Sequence, residues 1–500
     1  MPNKSILKKL TIFLALIISS ALAWGDQKKT SAPPPKPAPA TSRPSTQPQP
    51  RQQQPVNPPR RQPPVPVTQP NKGQRPGPPP GVIWDKGGEP NRGPKPPDSN
   101  QGRISYRSRP GDQAKVLPGG GTEFHNANGQ TVTTNARGEV QRIEVPRGLA
   151  GTNKMVINHG PRGGRVVETG RPGARVVSYG PNRGFVERPL RPGYISRTYV
   201  AGGRSYAHVY REYRYHNMAY YRYVPGVYYN RRFYAWAVTP WGTPVHYVWF
   251  GMATPAPWFG YYRGYFIPYP VYASPDLWLT DYLLAENLRL AYENEQAAYM
   301  GQTPPPPPNQ DPTAPTLSPE VKAAIAAEVK QQLADEQAAA ANPPDVNSQA
   351  APSNEQVPEA LSPTERVFVV ASSLDLTALG GGPECSLSPG DVLMRLSDTP
   401  DANQNVNASV QSSKKGDCTT GQTVAVSVQD LQEMHNHFRE QLDSGLNVLT
   451  ENRAKGLPNG PTADPRQVAE GTAEPAPGAE SQLAAQDNDA AKLEAQVKQN

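Results

Sequence analysis

Apolar and polar positions alternate along several short stretches of this 500-residue chain, and glycine-centred turns separate them. The first run is Thr122-Glu123-Phe124-His125, followed by Asn128-Gly129 and then Gln130-Thr131-Val132. Alternation on both sides of an Asn-Gly pair predicts a hairpin. A second turn at Arg137-Gly138 leads into Val140-Gln141-Arg142-Ile143-Glu144-Val145, so folding is expected to begin near Ile104. From Gly163 a repeat of about ten residues sets in: Gly163-Gly164-Arg165-Val166-Val167, Gly173-Ala174-Arg175-Val176-Val177 and Gly184-Phe185-Val186. A turn and a short strand per unit predict a β-meander or a small solenoid. Arginine recurs beside each apolar pair, so one face should be cationic.

Aromatic residues crowd the next stretch of chain. Of the 23 tyrosines, 17 lie between Tyr199 and Tyr272. Tyr206, His208, Tyr210, Tyr213 and Tyr215 keep a period close to two, which suits a pleated, half-buried surface. Tyr220 to Tyr223, Tyr228-Tyr229, Phe233-Tyr234-Ala235-Trp236 and Val245 to Phe250 read as further strands. Trp258 and the stretch Tyr261 to Tyr272 are rich in Pro and Gly and are expected to wrap over the sheet. The region thus divides into a Gly/Arg hairpin and repeat segment, 101–193, and a Tyr-rich β module, 194–300.

Helical signals come next. Ser274-Pro275-Asp276 is a helix start, and Leu277, Leu284, Leu288 and Ala291 give it one apolar stripe with Trp278, Tyr282 and Tyr292 beside it. A Pro-rich linker, 301–363, holds a second helix over 318–341 with a narrow stripe of Val321, Ile325, Val329 and Leu333. That helix is expected to be exposed or to bind a partner weakly. Residues 364–455 read as a small domain of four strands: 366–370, 391–396, 405–410 and 423–428. Ser427 and Asp430 then form a capping box for a helix carrying Leu431, Met434, Phe438, Leu442, Leu446 and Leu449 on one face. The acidic, Ala/Gln-rich tail 456–500 reads as disordered.

Two local patterns resemble known families. The strand, glycine turn and strand around Gly129 and Gly138 resemble the short β repeats of secreted RHS/YD-type proteins, without that family's Tyr-Asp pair. Leu387-Ser388-Pro389-Gly390-Asp391-Val392-Leu393 resembles the turn into a strand of SH3-like barrels. With its helix, the segment is similar to uncharacterised secreted bacterial envelope proteins, a resemblance that implies no activity. The expected fold class is therefore a mostly disordered chain with β-rich islands: a Tyr/Arg-rich β-meander with a helix, and a C-terminal SH3-like β-barrel with a terminal helix.

Composition supplies the compartment. Lys4, Lys8 and Lys9, the apolar run Leu10 to Ile18 and Ala21-Leu22-Ala23 form a secretory signal, 1–23, whose apolar run is too short to span a bilayer. Residues 24–100 are rich in Pro, Gln, Lys and Arg, with Pro33-Pro34-Pro35-Lys36-Pro37 favouring an extended spacer over an SH3 ligand. The expectation is export to the periplasm, the outer membrane's vicinity or the exterior, with no integral span after cleavage. In that setting Cys385 and Cys418, the two cysteines, read as a disulfide.

Charge is strongly asymmetric. Residues 24–100 hold 12 Lys/Arg against 4 Asp/Glu, residues 101–270 hold 23 against 7, and residues 271–500 hold 13 against 32. A basic front half suggests attachment to a polyanion, and the two halves can also attract one another.

Catalytic patterns fail on inspection. Gly416-Asp417-Cys418-Thr419-Thr420-Gly421-Gln422-Thr423 has P-loop spacing, but Gln422 stands where the phosphate-binding lysine belongs. His435-Asn436-His437 spells HNH, yet i,i+2 residues leave a helix in different directions. Asp276, Asp281 and Glu286 read as a cap and a solvated helix face. No G-x-S-x-G occurs. The sequence predicts a non-enzyme without a cofactor or metal. The candidate ligand surface is Arg165, Arg175, Arg204, Tyr206, Tyr210, Arg211, Tyr213, Arg214, Tyr215, Arg222, Trp236 and Trp241, because arginine forks anions while aromatic rings stack on sugars or bases. Anionic envelope polysaccharide is the compartment-appropriate partner. Core packing of the same rings is the plain alternative, and an adaptor binding a protein through 364–455 is the second functional reading.

Overall fold

The computed structural model describes residues 104–117, 120–147, 153–159, 165–180, 182–201, 203–249, 256–298, 317–341, 355–380, 384–414, 418–451 and 456–499. The signal expected over 1–23 and the spacer over 24–100 lie outside them. Eleven strands succeed one another as β1 (Gln113–Val116), β2 (Thr122–His125), β3 (Thr131–Thr134), β4 (Val140–Arg147), β5 (Asn153–His159), β6 (Arg165–Arg171), β7 (Ala174–Gly180), β8 (Arg183–Arg191), β9 (Tyr194–Ala201), β10 (Arg204–Tyr215) and β11 (Met218–Val224). Each pairs antiparallel with the next, so the sheet is a meander in sequence order. The boundary expected at residue 193 falls inside the β8–β9 hairpin, where Arg191 lies opposite Tyr194. The Gly/Arg repeat and the first tyrosine strands are therefore one sheet. The β6–β7 turn needs its glycine twice over: Gly173 has φ +83°, and a Cβ there would come within 2.5 Å of the Tyr221 hydroxyl.

Past β11 the chain leaves the meander. β12 (Val227–Tyr228) is followed by α1 (Arg231–Val238), α2 (Pro257–Tyr261), α3 (Pro275–Ala298) and α4 (Pro319–Ala341). The expected strand at Phe233 to Trp236 is α1 instead, because Asn230 caps it by accepting from the Phe233 amide. The strand expected at Val245 to Phe250 reduces to a single bridge between Val245 and Tyr272, with Phe250 outside the described residues. Trp258, Tyr262, Tyr265, Phe266 and Tyr272 do not wrap the sheet; they pack with Trp278, Leu279 and Leu283 of α3. Helix α4 corrects another expectation. It is no exposed helix: Ile325, Val329 and Leu333 are buried, as are Lys322, Glu328, Gln332 and Glu336.

Six further strands, β13 (Val367–Val369), β14 (Leu374–Ala378), β15 (Glu384–Leu387), β16 (Val392–Arg395), β17 (Asn405–Ser412) and β18 (Thr423–Ser427), form a sheet ordered β13-β16-β17-β18-β14-β15. Two of them, β14 and β15, add to the four that the sequence predicts. The outer strands β13 and β15 do not pair with each other among the described residues, so this sheet does not show the SH3-like barrel closed. Helix α5 (Val428–Thr450) leaves β18 directly, capped as expected by Ser427, whose hydroxyl accepts from the Asp430 amide at 3.0 Å. Cys385 and Cys418 form a disulfide with Cα atoms 5.0 Å apart.

The tail departs most from its sequence. Beyond α5 come β19 (Arg466–Gln467), paired with β12, and α6 (Ala479–Gln499). Ala490 and Val497 join the core of Ile143, Ile157 and Val167, and Leu483 packs on Val186 and Val200. The α6 stripe is built from alanine with few large residues, which is why it reads as weak. Its docking draws on polar matches too: Gln486 donates to the Val167 and Val176 carbonyls at 2.6 and 3.0 Å, and Asp489 meets Arg147 at 3.0 Å. One face of the meander thus lies under α6 and the other carries α5 and α3.

Candidate functional site

The fold divides the Tyr/Arg block that the sequence offers as a ligand surface. Alternation along β7 to β10 sends Arg175, Glu187, Arg197, Tyr199 and Tyr210 to the face that α5 covers. Arg197 donates to Glu187 at 2.8 Å and to Glu433 of α5 at 2.9 and 3.0 Å. Arg175 reaches Glu187 at 3.0 Å and Glu433 at 3.3 Å. The Arg197 and Arg175 guanidinium groups also lie over the Phe185 ring, at 4.5 Å and 5.5 Å. Tyr210 donates to Glu440, and Tyr199 shares a hydrogen bond with Tyr210 at 3.0 Å. The Glu187 side chain and the whole of Tyr210 are 0% exposed, so α5 seals this network.

Electrostatics in the network are set by burial and by the partners it forces together. Burial alone would lower the pKa of Arg197, but Glu433 beside it outweighs that and holds it well above its ordinary value. Burial would raise Glu440; the hydrogen bond from His437 and the nearby cations hold it at about 2. Burial drives the Tyr210 phenol up, so it stays a proton donor. This is an Arg–carboxylate clamp between sheet and helix, and its chemistry is cohesion.

The other candidate residues scatter. Arg165 pairs with Asp487 at 2.9 Å and Glu494 at 3.1 Å on α6, the opposite face. Arg222 pairs with Glu359 at 3.3 Å. Tyr213 is buried and stacks on Tyr220, while Tyr215 stacks on His216. Trp236 lies on α1 with its ring 6.5 Å from Trp241, both half-buried against the helical core. Arg211 is half-buried and 5.9 Å from the Tyr194 ring. Arg204, Tyr206 and Arg214 remain exposed, with Tyr206 stacked on Tyr199 at 5.3 Å. No continuous aromatic, cationic surface is assembled from the twelve.

The remaining chemical candidates meet partners within the fold. His435 lies between Glu359 at 3.4 Å and Glu365 at 3.6 Å, His437 lies 3.5 Å from Glu440, and Asn436 faces β11. The three directions are those that i,i+2 spacing implies. Asp281 corrects its reading as part of a solvated face, because it is 0% exposed; Asp276 lies in the first turn of α3, as a helix start requires, and is buried there too. Asp281 takes Lys322 and the Tyr272 hydroxyl, each at 2.5 Å, and the Tyr269 amide at 2.7 Å. In the P-loop-like run, Gly416 and Asp417 lie outside the described residues, and the Gln422 side chain accepts from the Thr419 amide at 2.9 Å. Among the described residues, no group of three or more His, Cys, Asp or Glu side chains is placed to hold a metal.

Sequence reasoning misses Glu187, Arg197, Glu433 and Glu440, the residues that close the clamp. One signal is available: Glu433, Glu440 and Asp443 recur at i, i+7 and i+10, which places three acids on one face of α5. Comparison with protein-family models, curated proteins and solved structures gives no match to this chain.

Proposed function

We propose that the protein is a non-catalytic, exported scaffold of the cell envelope that holds anionic polysaccharide, or another polyanion, through the Lys and Arg of residues 24–100 and the exposed Arg204 and Arg214. The observation that carries this reading is the internal neutralisation of the sheet. Arg147, Arg165, Arg175, Arg183 and Arg197 each meet a carboxylate more than 100 residues further along the chain. Part of the mutual attraction of a basic front and an acidic back is thereby satisfied within the fold. Residues 24–100, with 12 Lys/Arg against 4 Asp/Glu, have no such counterweight in their own sequence. Exposed Arg204 and Arg214 also pair with no carboxylate among the described residues. Export rests on the lysines, apolar run and Ala-x-Ala of residues 1–23.

The test is retention of the intact mature chain on an anionic polysaccharide across a salt series. Exposed charge attraction weakens as salt shortens its range, so retention should fall with salt. It should also fall when the Lys and Arg of 24–100 are replaced by Gln. Retention indifferent to both changes would refute the reading.

The adaptor reading keeps a narrower base. Helices α4 and α5 use their apolar faces internally, which leaves the β14–β15 side of the six-stranded sheet. An SH3-like ligand surface is the finer form of that reading. Crosslinking that enriches one protein through this strand pair would favour it.

A further inference from the structure

One cleft stands apart from the clamp. It has a volume of about 530 Å³ and opens between the C-terminal half of α4, the start of α1 and the β12–β19 ribbon. Its floor is the buried pair Tyr228 and Tyr229, and Ala334 and Ala338 of α4 form a wall without bulk. Arg231, Arg466 and Asp464 stand at its mouth, all exposed.

The walls are tied to one another. Asn230 donates to the Thr462 carbonyl at 2.8 Å, the Ala463 carbonyl at 3.0 Å and the Asp464 carboxylate at 3.1 Å. Those bonds accompany a left-handed backbone at Asp464, φ +41°, which is costly for a residue other than glycine. Gln337 of α4 donates to the Arg231 carbonyl at 3.4 Å, and Arg466 is fixed opposite Tyr228 in the ribbon. The cleft is therefore preformed.

Its charge is the informative part. Arg165, Arg175 and Arg197 of the sheet are matched to carboxylates, whereas Arg231 and Arg466 meet none among the described residues. The single carboxylate at the mouth, Asp464, is held by Asn230. The positive end of α1 points to the same place, since the first turn of a helix leaves amides unpaired. Two exposed guanidinium forks for a carboxylate and an alanine wall for the C–H face of a ring describe one ligand class.

We propose that this cleft binds a carboxylated sugar residue of an acidic polysaccharide. The proposal rests on the polyanion reading and gives it a site on the folded body, distinct from the charge of residues 24–100.

The experiment titrates a short oligogalacturonate into the intact mature chain, followed by calorimetry and by tyrosine fluorescence. Arg231→Gln with Arg466→Gln should weaken binding by roughly tenfold or more, the scale of one lost charge-assisted contact. Ala338→Phe, which fills the cleft, should do the same, and a neutral oligosaccharide of equal length should not bind. Thermal unfolding of each variant checks that these changes leave the fold intact. Unchanged affinity in both variants overturns the cleft while leaving the polyanion reading standing. No binding of any acidic polysaccharide to the wild-type chain removes that reading as well. Displacement of the sugar by a peptide of residues 31–40 would assign the cleft to the protein's own Pro-rich segment and overturn the proposal.

Discussion

Asn436 of α5 stands beside Tyr223 as though it were the next strand of the meander. Its side-chain amide accepts from the Tyr223 N–H at 2.9 Å and donates to the Tyr221 carbonyl at 2.8 Å. Arg439, one turn later, donates to the Tyr223 carbonyl at 3.2 Å. β11 is the last strand of the sheet, and an open edge invites pairing with other chains. The helix closes that edge with side chains.

Asn436→Leu keeps the volume and leaves two buried main-chain groups without partners. Each such group costs about 1–3 kcal/mol, so the variant should lose roughly 2–6 kcal/mol of unfolding free energy on that same count. Urea unfolding of the full chain measures the loss, and light scattering at native conditions should show new self-association. A variant as stable and as monodisperse as the parent would mean the edge is protected by something other than this amide.

The Arg197 clamp makes a sharper demand. Breaking a buried ion pair by removing one partner costs about 3–5 kcal/mol, because the other charge stays buried. Arg197→Gln leaves Glu187, at 0% side-chain exposure, with Arg175 at 3.0 Å as its remaining cation, so the loss should fall toward the lower end of that range. Glu433→Gln should cost clearly less, since Glu433 is 29% exposed at its side chain and water can serve the guanidinium. Equal losses from the two substitutions, read from denaturant midpoints, would contradict this account of the network.

How far the sequence carries the fold depends on whether a feature is local. The hairpin turn at Gly129 and the Ser427 cap are written in adjacent residues, and both are found where expected. Helix α6 escapes a sequence reading because its burial depends on arginines such as Arg147 and Arg165, more than 300 residues away. Helix α4 misleads for the same reason: Lys322 and Glu336 look like solvent-facing charges until Asp281 and Arg439 are brought against them. The candidate surface fails similarly. Period two places Arg175 and Tyr210 on one face, but it cannot say that a helix from about 250 residues later will cover that face.

Reduction of Cys385–Cys418 tests the smaller sheet on its own. The bond closes a sequence separation of 33 residues and ties β15, an outer strand, to the loop before β18. In the chain-entropy account a loop of that size contributes roughly 3–4 kcal/mol. A Cys385→Ala, Cys418→Ala variant should unfold at lower urea by that amount. Hydrogen exchange should speed up in β14 and β15 first and leave β6 to β9 protected. Uniform loss of protection across both sheets would show that the disulfide steadies the whole body.

The junction of α4 with α5 should weaken in alkali. Facing one another there are Glu328 and Glu336 of α4, Glu359 and Glu365 of the segment before β13, His435, Arg439 and Asp443 of α5, and Arg222 of β11. Burial would depress His435, but its contacts with Glu359 and Glu365 outweigh that and raise it to about 9. A histidine raised by folding stabilises the fold fully below its ordinary value near 6.5, and that contribution fades as pH climbs through about 9. Its size is set by the shift, about 3 kcal/mol at most. Burial and the adjacent Glu365 push the Glu328 carboxyl up, and burial with Glu336 does the same to Asp443. A carboxyl that folding keeps protonated opposes the fold increasingly as pH rises above its ordinary range, so these groups act in the same direction. Glu359 is held at about 2 and Arg439 above its ordinary value, so neither changes charge in this window. Stability measured from about pH 6 to 9.5 should therefore fall, with exchange rising first in α4. His435→Gln should flatten the part of the slope between 6.5 and about 9, and Glu328→Gln should raise stability at the alkaline end. A wild-type curve that is level across the window, or one whose slope survives the histidine substitution, would locate the junction's cohesion in Ile325, Val329 and Leu333 alone.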